Sequence, residues 1–153
     1  MKPRMNFYQA APDTMKAMMA LENQIQASGL EQSLMELVKT RASQINGCAF
    51  CIDMHTKDAR KRGETEQRLY LLNAWREAPC YTDRERAALA WTEAVTLISQ
   101  THAPDDVYDE VRAHFSEAET VNLTILIGAI NTWNRLSISF RAIPPVKVSA
   151  SAA

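Results

Sequence analysis

Cys48-Ala-Phe-Cys51-Ile-Asp-Met-His55 sets two thiols and an imidazole three and four residues apart, the spacing that brings side chains onto one face of an α-helix. Asn46-Gly47 just upstream reads as a helix-entry signal, which predicts both thiols in the first helical turn. At about a hundred degrees per residue, Cys48, Cys51, Ile52, His55 and Ala59 share one side, while Asp53, Lys57, Arg60 and Lys61 take the other. The thiols and His55 are thus expected to face the protein, with Asp53 and Lys57 as a modest surface pair. Unpaired N–H groups and the positive helix end stabilise a thiolate, which is the form that attacks. Burial on the inner face opposes this, so His55 and the helix terminus must offset it.

Helix signals continue on both sides of this stretch. Pro12-Asp13 opens a helix carrying Met15, Met18, Met19, Leu21 and Ile25, which ends near Ser28-Gly29. A second helix spans about Glu31 to Ile45, with Leu34, Leu37, Val38 and Ile45 on one side. The Cys/His helix stops near Gly63, and Glu66 to Trp75 reads as helix until Ala78-Pro79 breaks it. Capping boxes at Thr82-Asp83-Arg84-Glu85 and Ser116-Glu117-Ala118-Glu119 start two more helices. A short helix runs between them from Pro104 to about Phe115. The last helix is apolar around most of its circumference, through Val121, Leu123, Ile125, Leu126, Ile127, Ile130, Trp133, Leu136 and Ile138, and so asks for partners on several sides. No strand-like alternation and no linker interrupt the pattern. The expectation is one all-α domain over 1–145, a bundle of about six to seven helices, with a flexible tail at 146–153.

Composition narrows the function. The chain of 153 residues is about the size of one domain, and with four glycines it is biased towards helix. A net charge of −1 gives no reason to expect nucleic acid or an anionic membrane as partner. The longest apolar run, around Leu123 to Ile130, is too short and too interrupted to span a bilayer. The basic start Met1-Lys-Pro-Arg-Met5 lacks the apolar segment of a secretory signal. Three cysteines are too few for a secreted disulfide framework, and two of them form Cys-x-x-Cys, which in a reducing cytoplasm means redox chemistry or metal.

On the preceding helix Glu36, Thr40, Ser43 and Gly47 line up opposite the apolar side and lead towards Cys48. One reading is a solvated face. The other is a polar row in which Glu36 orients His55 or relays a proton, because carboxylate, imidazole and thiol together activate a sulfur nucleophile. Zinc would take Cys48, Cys51 and His55, with Glu36 or Cys80 as fourth ligand, but no second Cys/His pair exists. Inert core cysteines and a structural disulfide are the blander readings; the latter would close only a tiny loop. His102 and His114 read as surface histidines and Cys80 as an incidental loop thiol. For the order of the two sulfurs, the helix dipole favours Cys48 as the more acidic thiol. Proximity favours Cys51, which has His55 at i+4, and a nearby base outweighs a helix end worth less than about 1 kcal/mol.

Glu36, twelve positions before Cys48, followed by Cys-x-x-Cys-x-x-x-His, resembles the active-site pattern of the AhpD-like alkylhydroperoxidases of the carboxymuconolactone decarboxylase superfamily. The resemblance runs from Leu34 to about Trp91 through Ser43-Gln-Ile-Asn-Gly-Cys48 and returns at Ile130-Asn-Thr-Trp-Asn-Arg-Leu136. It implies an all-helical fold assembled as trimers or hexamers, and thiol-dependent reduction of organic hydroperoxides without metal or organic cofactor. By the same resemblance Cys51 attacks the peroxide, Cys48 resolves the sulfenic acid, and His55 and Glu36 move the protons. A dithiol, a thioredoxin-like protein or a lipoyl group would restore the thiols, and Cys48, nearer the loop entry, would meet that reductant first. One departure stands out. The best-known peroxidases of the family carry a second histidine between the cysteines, where this chain has Phe50, which points to a general disulfide reductase or a weak peroxidase. The lyase branch generally lacks the Cys pair, which makes lactone decarboxylation a distant alternative.

Overall fold

Among the described residues, 1–145 of a computed structural model, nine α-helices and no strand are found. They are α1 (Phe7–Ala10), α2 (Pro12–Gln26), α3 (Gln32–Asn46), α4 (Ala49–Lys61), α5 (Glu66–Leu71), α6 (Asp83–Thr96), α7 (Ile98–Thr101), α8 (Asp105–His114) and α9 (Glu117–Phe140), with a 3-10 turn at Leu72–Ala74 after α5. Seven of these are the expected helices. The other two, α1 and α7, are single turns too short to show periodicity. α1 exists because the Asn6 side chain accepts the N–H groups of Tyr8 and Gln9. The expected tail at 146–153 lies outside the described residues.

α3 is the central element. It packs against α4 on one side and against α6 and α9 on others. Leu34, Met35 and Val38 join Leu123, Leu126 and Ile127 of α9 and Ala87, Ala88 and Trp91 of α6 in the larger apolar cluster. Leu37 turns to a second cluster with Leu72, Trp75, Tyr81 and Leu89. Because α3 is covered on several faces, its polar row is buried too, with Glu36, Thr40 and Ser43 all among the buried residues. The solvated-face reading therefore fails, since α4 and α9 close over that side.

Both capping boxes form, at Thr82 with Glu85 and at Ser116 with Glu119. They fix where α6 and α9 begin, and so which of their side chains reach α3. Arg84 ties the two starts together, 2.8 Å from Glu31 and 2.7 Å from Glu119. No helix of the described residues is long and apolar enough to cross a membrane. Ser116→Ala removes the hydroxyl that accepts the Glu119 N–H and should lower unfolding free energy by about 1 kcal/mol. Urea denaturation should show this as a lower midpoint with unchanged slope; an unchanged midpoint would mean that the Arg84 bridge, not the cap, holds the start of α9.

Candidate active site

The turn between α3 and α4 places the thiols. α3 ends at Asn46, Gly47 takes left-handed backbone at φ 70°, and Cys48 caps α4. Asn46-Gly47 thus closes one helix instead of opening the next, because a left-handed glycine is a stop signal. Cys48 itself takes the capping position, its Sγ accepting the Cys51 N–H at 3.4 Å. Cys51 lies in the first turn as expected, so both sulfurs sit at the positive end of the helix.

The packing of α3 on α4 brings Glu36 to His55, where Oε2 lies 2.9 Å from Nδ1. Both residues are buried. The second carboxylate oxygen has Arg62 Nε at 3.9 Å. An ionised Glu36 keeps the proton on Nδ1 and leaves Nε2 as the basic nitrogen of the ring. Asp53 and Lys57 form their surface pair at 2.7 Å on the outer side of α4. His102 and His114 are exposed, as expected, and Cys80 is a half-buried loop thiol.

α9 adds groups that the spacing of the cysteine motif does not reveal. Asn46 donates to Asn131 at 2.9 Å and to Asn134 at 2.8 Å, and Asn134 donates to Ser43 at 3.0 Å. Cys51 is the acidic thiol of the pair, its pKa lowered to about 6. The main cause is the Cys48 thiol donating to the Cys51 sulfur. Burial opposes the shift, while hydrogen bonds from Ser137 and Asn134 and the nearby His55 add to it. The pKa of Cys48 is pushed up, first by that same shared proton and then by burial. The repeat Asn131, Asn134, Ser137 is a polar stripe at helical spacing inside an apolar helix, a sequence signal for these groups beside the resemblance at residues 130–136.

A cavity of about 660 Å³ opens onto Cys51, His55 and Ser137, with Glu36, Phe50, Met54 and Trp133 also in its lining. Cys48 does not line it, and both cysteines are 1% exposed. The cavity thus reaches the pair at Cys51, with Cys48 behind it in the helix-capping position. No group of three or more His, Cys, Asp or Glu among the described residues is arranged to hold a metal ion. His55 Nδ1 is instead committed to Glu36.

The family model described as carboxymuconolactone decarboxylase matches residues 12–94. The uncharacterised protein YdfG of Bacillus subtilis is 50% identical over 139 residues, covering 91% of this chain and 95% of its own. A crystal structure of a protein of unknown function from Agrobacterium tumefaciens, suggested to be the antioxidant defence protein AhpD, is 54% identical. It superposes with a TM-score of 0.93 over 95% of this chain and 100% of that one. The debrominase Bmp8 shares the fold at 21% identity, with a TM-score of 0.81 over 90% of this chain and 74% of its own.

The thiol geometry sets a pH profile. Cys51 is protonated below its pKa of about 6 and a thiolate above it. In a Cys80→Ser background, iodoacetamide labelling of Cys51 should therefore fall about tenfold for each pH unit below that midpoint and level off above it. Cys48→Ala removes the donor and should move the midpoint upward. Identical profiles with and without Cys48 would show that the shared proton does not set the acidity.

Proposed function

The chain belongs to the carboxymuconolactone decarboxylase family, and on that premise we propose that it is a thiol-dependent peroxidase reducing organic hydroperoxides through Cys48 and Cys51. The observation that carries this reading is that the acidic thiol, Cys51, is the one that meets the cavity, beside a Glu36–His55 pair. The antioxidant role suggested for the Agrobacterium relative supports it.

The Cys51 thiolate attacks the terminal oxygen of the hydroperoxide. The O–O bond breaks, the leaving alkoxide takes a proton by way of His55 and departs as the alcohol, and Cys51 becomes a sulfenic acid. The sulfur of Cys48, as it loses its proton, then attacks the Cys51 sulfur; the S–S bond forms and water leaves. Two thiols are oxidised to a disulfide as one hydroperoxide is reduced to alcohol and water. A dithiol, thioredoxin-like or lipoyl-bearing reductant in the cytoplasm returns the disulfide to two thiols, entering by the cavity. Phe50 in the lining favours a second reading, a general disulfide reductase using the same pair. The proposal includes a homo-oligomer, a trimer or hexamer, because Val121, Ile125 and Ile138 on α9 stay 60%, 44% and 46% exposed in one chain.

Reduced protein treated with cumene hydroperoxide should lose two hydrogens by mass spectrometry, and Cys48→Ala should carry a dimedone adduct on Cys51. His55→Gln should slow thiol oxidation by roughly two to four orders of magnitude at neutral pH, and Glu36→Gln by less, since an amide still orients the ring. Reduction of a small disulfide-linked substrate to its thiols by the reduced pair, with no reaction towards hydroperoxide, would select the reductase reading instead. Light scattering with size exclusion should return a multiple of the 17.2 kDa chain; a clean monomer at micromolar concentration would remove the assembly.

A further inference from the structure

The cavity over Cys51 is partly walled by the segment that leads into α1. Arg4 donates its backbone N–H to the Phe140 carbonyl at 3.0 Å and its Nη1 to the Ser139 carbonyl at 2.9 Å. These carbonyls belong to the last turn of α9, where no intrahelical donor is available and where a cation is favoured by the helix dipole. Phe7 then packs on Phe140 with ring centroids 5.9 Å apart, and Tyr8 stacks on Trp133 at 6.3 Å. The Asn6 cap holds the turn from which both rings project. Pro3, Met5, Phe7 and Tyr8 all line the same cavity as Cys51 and His55.

Size and charge say what this wall admits. At about 660 Å³ the space is far larger than a molecule of hydrogen peroxide needs, given that a water takes up about 30 Å³ of liquid. Its charged lining comprises three carboxylates, Glu22, Glu36 and Asp58, against two cations, Lys39 and Arg62. Each cation already faces a carboxylate: Lys39 bonds Glu22, and Arg62 lies by Glu36. Asp58, the third carboxylate, pairs with Lys61 at 2.8 Å, so a bound carboxylate would find every cation at the cavity already engaged. Aromatic faces are what the cavity offers in surplus.

We propose that the segment Pro3–Tyr8 is a specificity-determining wall, which with Trp133 and Phe140 selects uncharged hydroperoxides with an aryl or branched-alkyl body. It works against hydrogen peroxide, which is too small to contact it, and against hydroperoxides bearing a carboxylate. The chemistry of the selected molecule rests on the peroxidase reading; the binding of its apolar body does not.

Two measurements on the full chain separate these. The first is calorimetric binding of cumyl alcohol, the unreactive product, and of its 4-carboxylate. The second is the ratio of thiol-oxidation rate constants for cumene hydroperoxide and hydrogen peroxide. Wild type should bind cumyl alcohol more tightly than the carboxylate. Phe7→Ala/Tyr8→Ala, with its fold checked by circular dichroism, should weaken cumyl alcohol binding about tenfold and lower the rate ratio by a similar factor. Tyr8→Phe keeps the stacked ring and should keep both values. Unchanged cumyl alcohol binding in the double variant overturns the wall, as does an equal loss of rate with both peroxides. Equal affinity for the carboxylate overturns the charge selection. If neither peroxide oxidises wild type while cumyl alcohol binding still depends on Phe7 and Tyr8, the peroxidase reading falls and the wall stands.

Discussion

One buried hydrogen bond, between Glu36 on α3 and His55 on α4, constrains everything around the thiols. A carboxylate taken out of water is unfavourable by several kcal/mol unless partners replace its hydration. Here the imidazole meets one oxygen and Arg62 approaches the other. Sliding α4 along α3 by a turn would leave Glu36 uncompensated, so the pair sets the register of the two helices. Cys51 lies one turn before His55 on the same face, and its direction follows from that register. The bond is thus a structural lock first, and the orientation of a base follows from it.

The opposite side of the site is held by amides. Asn46 at the end of α3 bonds Asn131 and Asn134, and Asn134 bonds Ser43. Ser43 in turn donates to the Lys39 carbonyl at 2.7 Å. Asn46, Asn131, Asn134 and Ser43 each have a partner, which is the condition under which a polar network rigidifies a core. Its placement also explains why α9 is less uniformly apolar than its composition suggests. The face carrying Asn131, Asn134 and Ser137 points at the thiol end of α4, and Leu123, Leu126, Ile127 and Ile130 fill the core beside it.

The helices were legible because their signals are local. Capping boxes, Pro12 and the spacing of Leu34, Leu37 and Val38 each act within one or two turns, and the structure keeps all of them. The facing of Cys51, His55 and Ala59 was legible for the same reason. Other features depend on contacts between distant segments. Whether the Glu36 row met water or protein turned on what α4 and α9 would cover, and one helix cannot show that. Gly47 was ambiguous because a glycine flanked by two helices can end the first or precede the second; its φ of 70° settles the matter. α1 was too short to leave a periodic trace, and the cavity wall it supports was hidden with it.

That wall joins two distant segments of the described residues: the Arg4 side chain and its acceptor carbonyl are 135 residues apart in sequence. A contact of such separation carries a large loop-closure cost and forms late in folding. On a ribosome it must wait until the end of α9 has emerged, long after α3 and α4 are able to pair. The dithiol is therefore assembled in a nascent chain before its aromatic enclosure exists. Until then Cys51 is open to oxidants of every size, and the proposed discrimination among them begins only when the end of α9 captures Arg4.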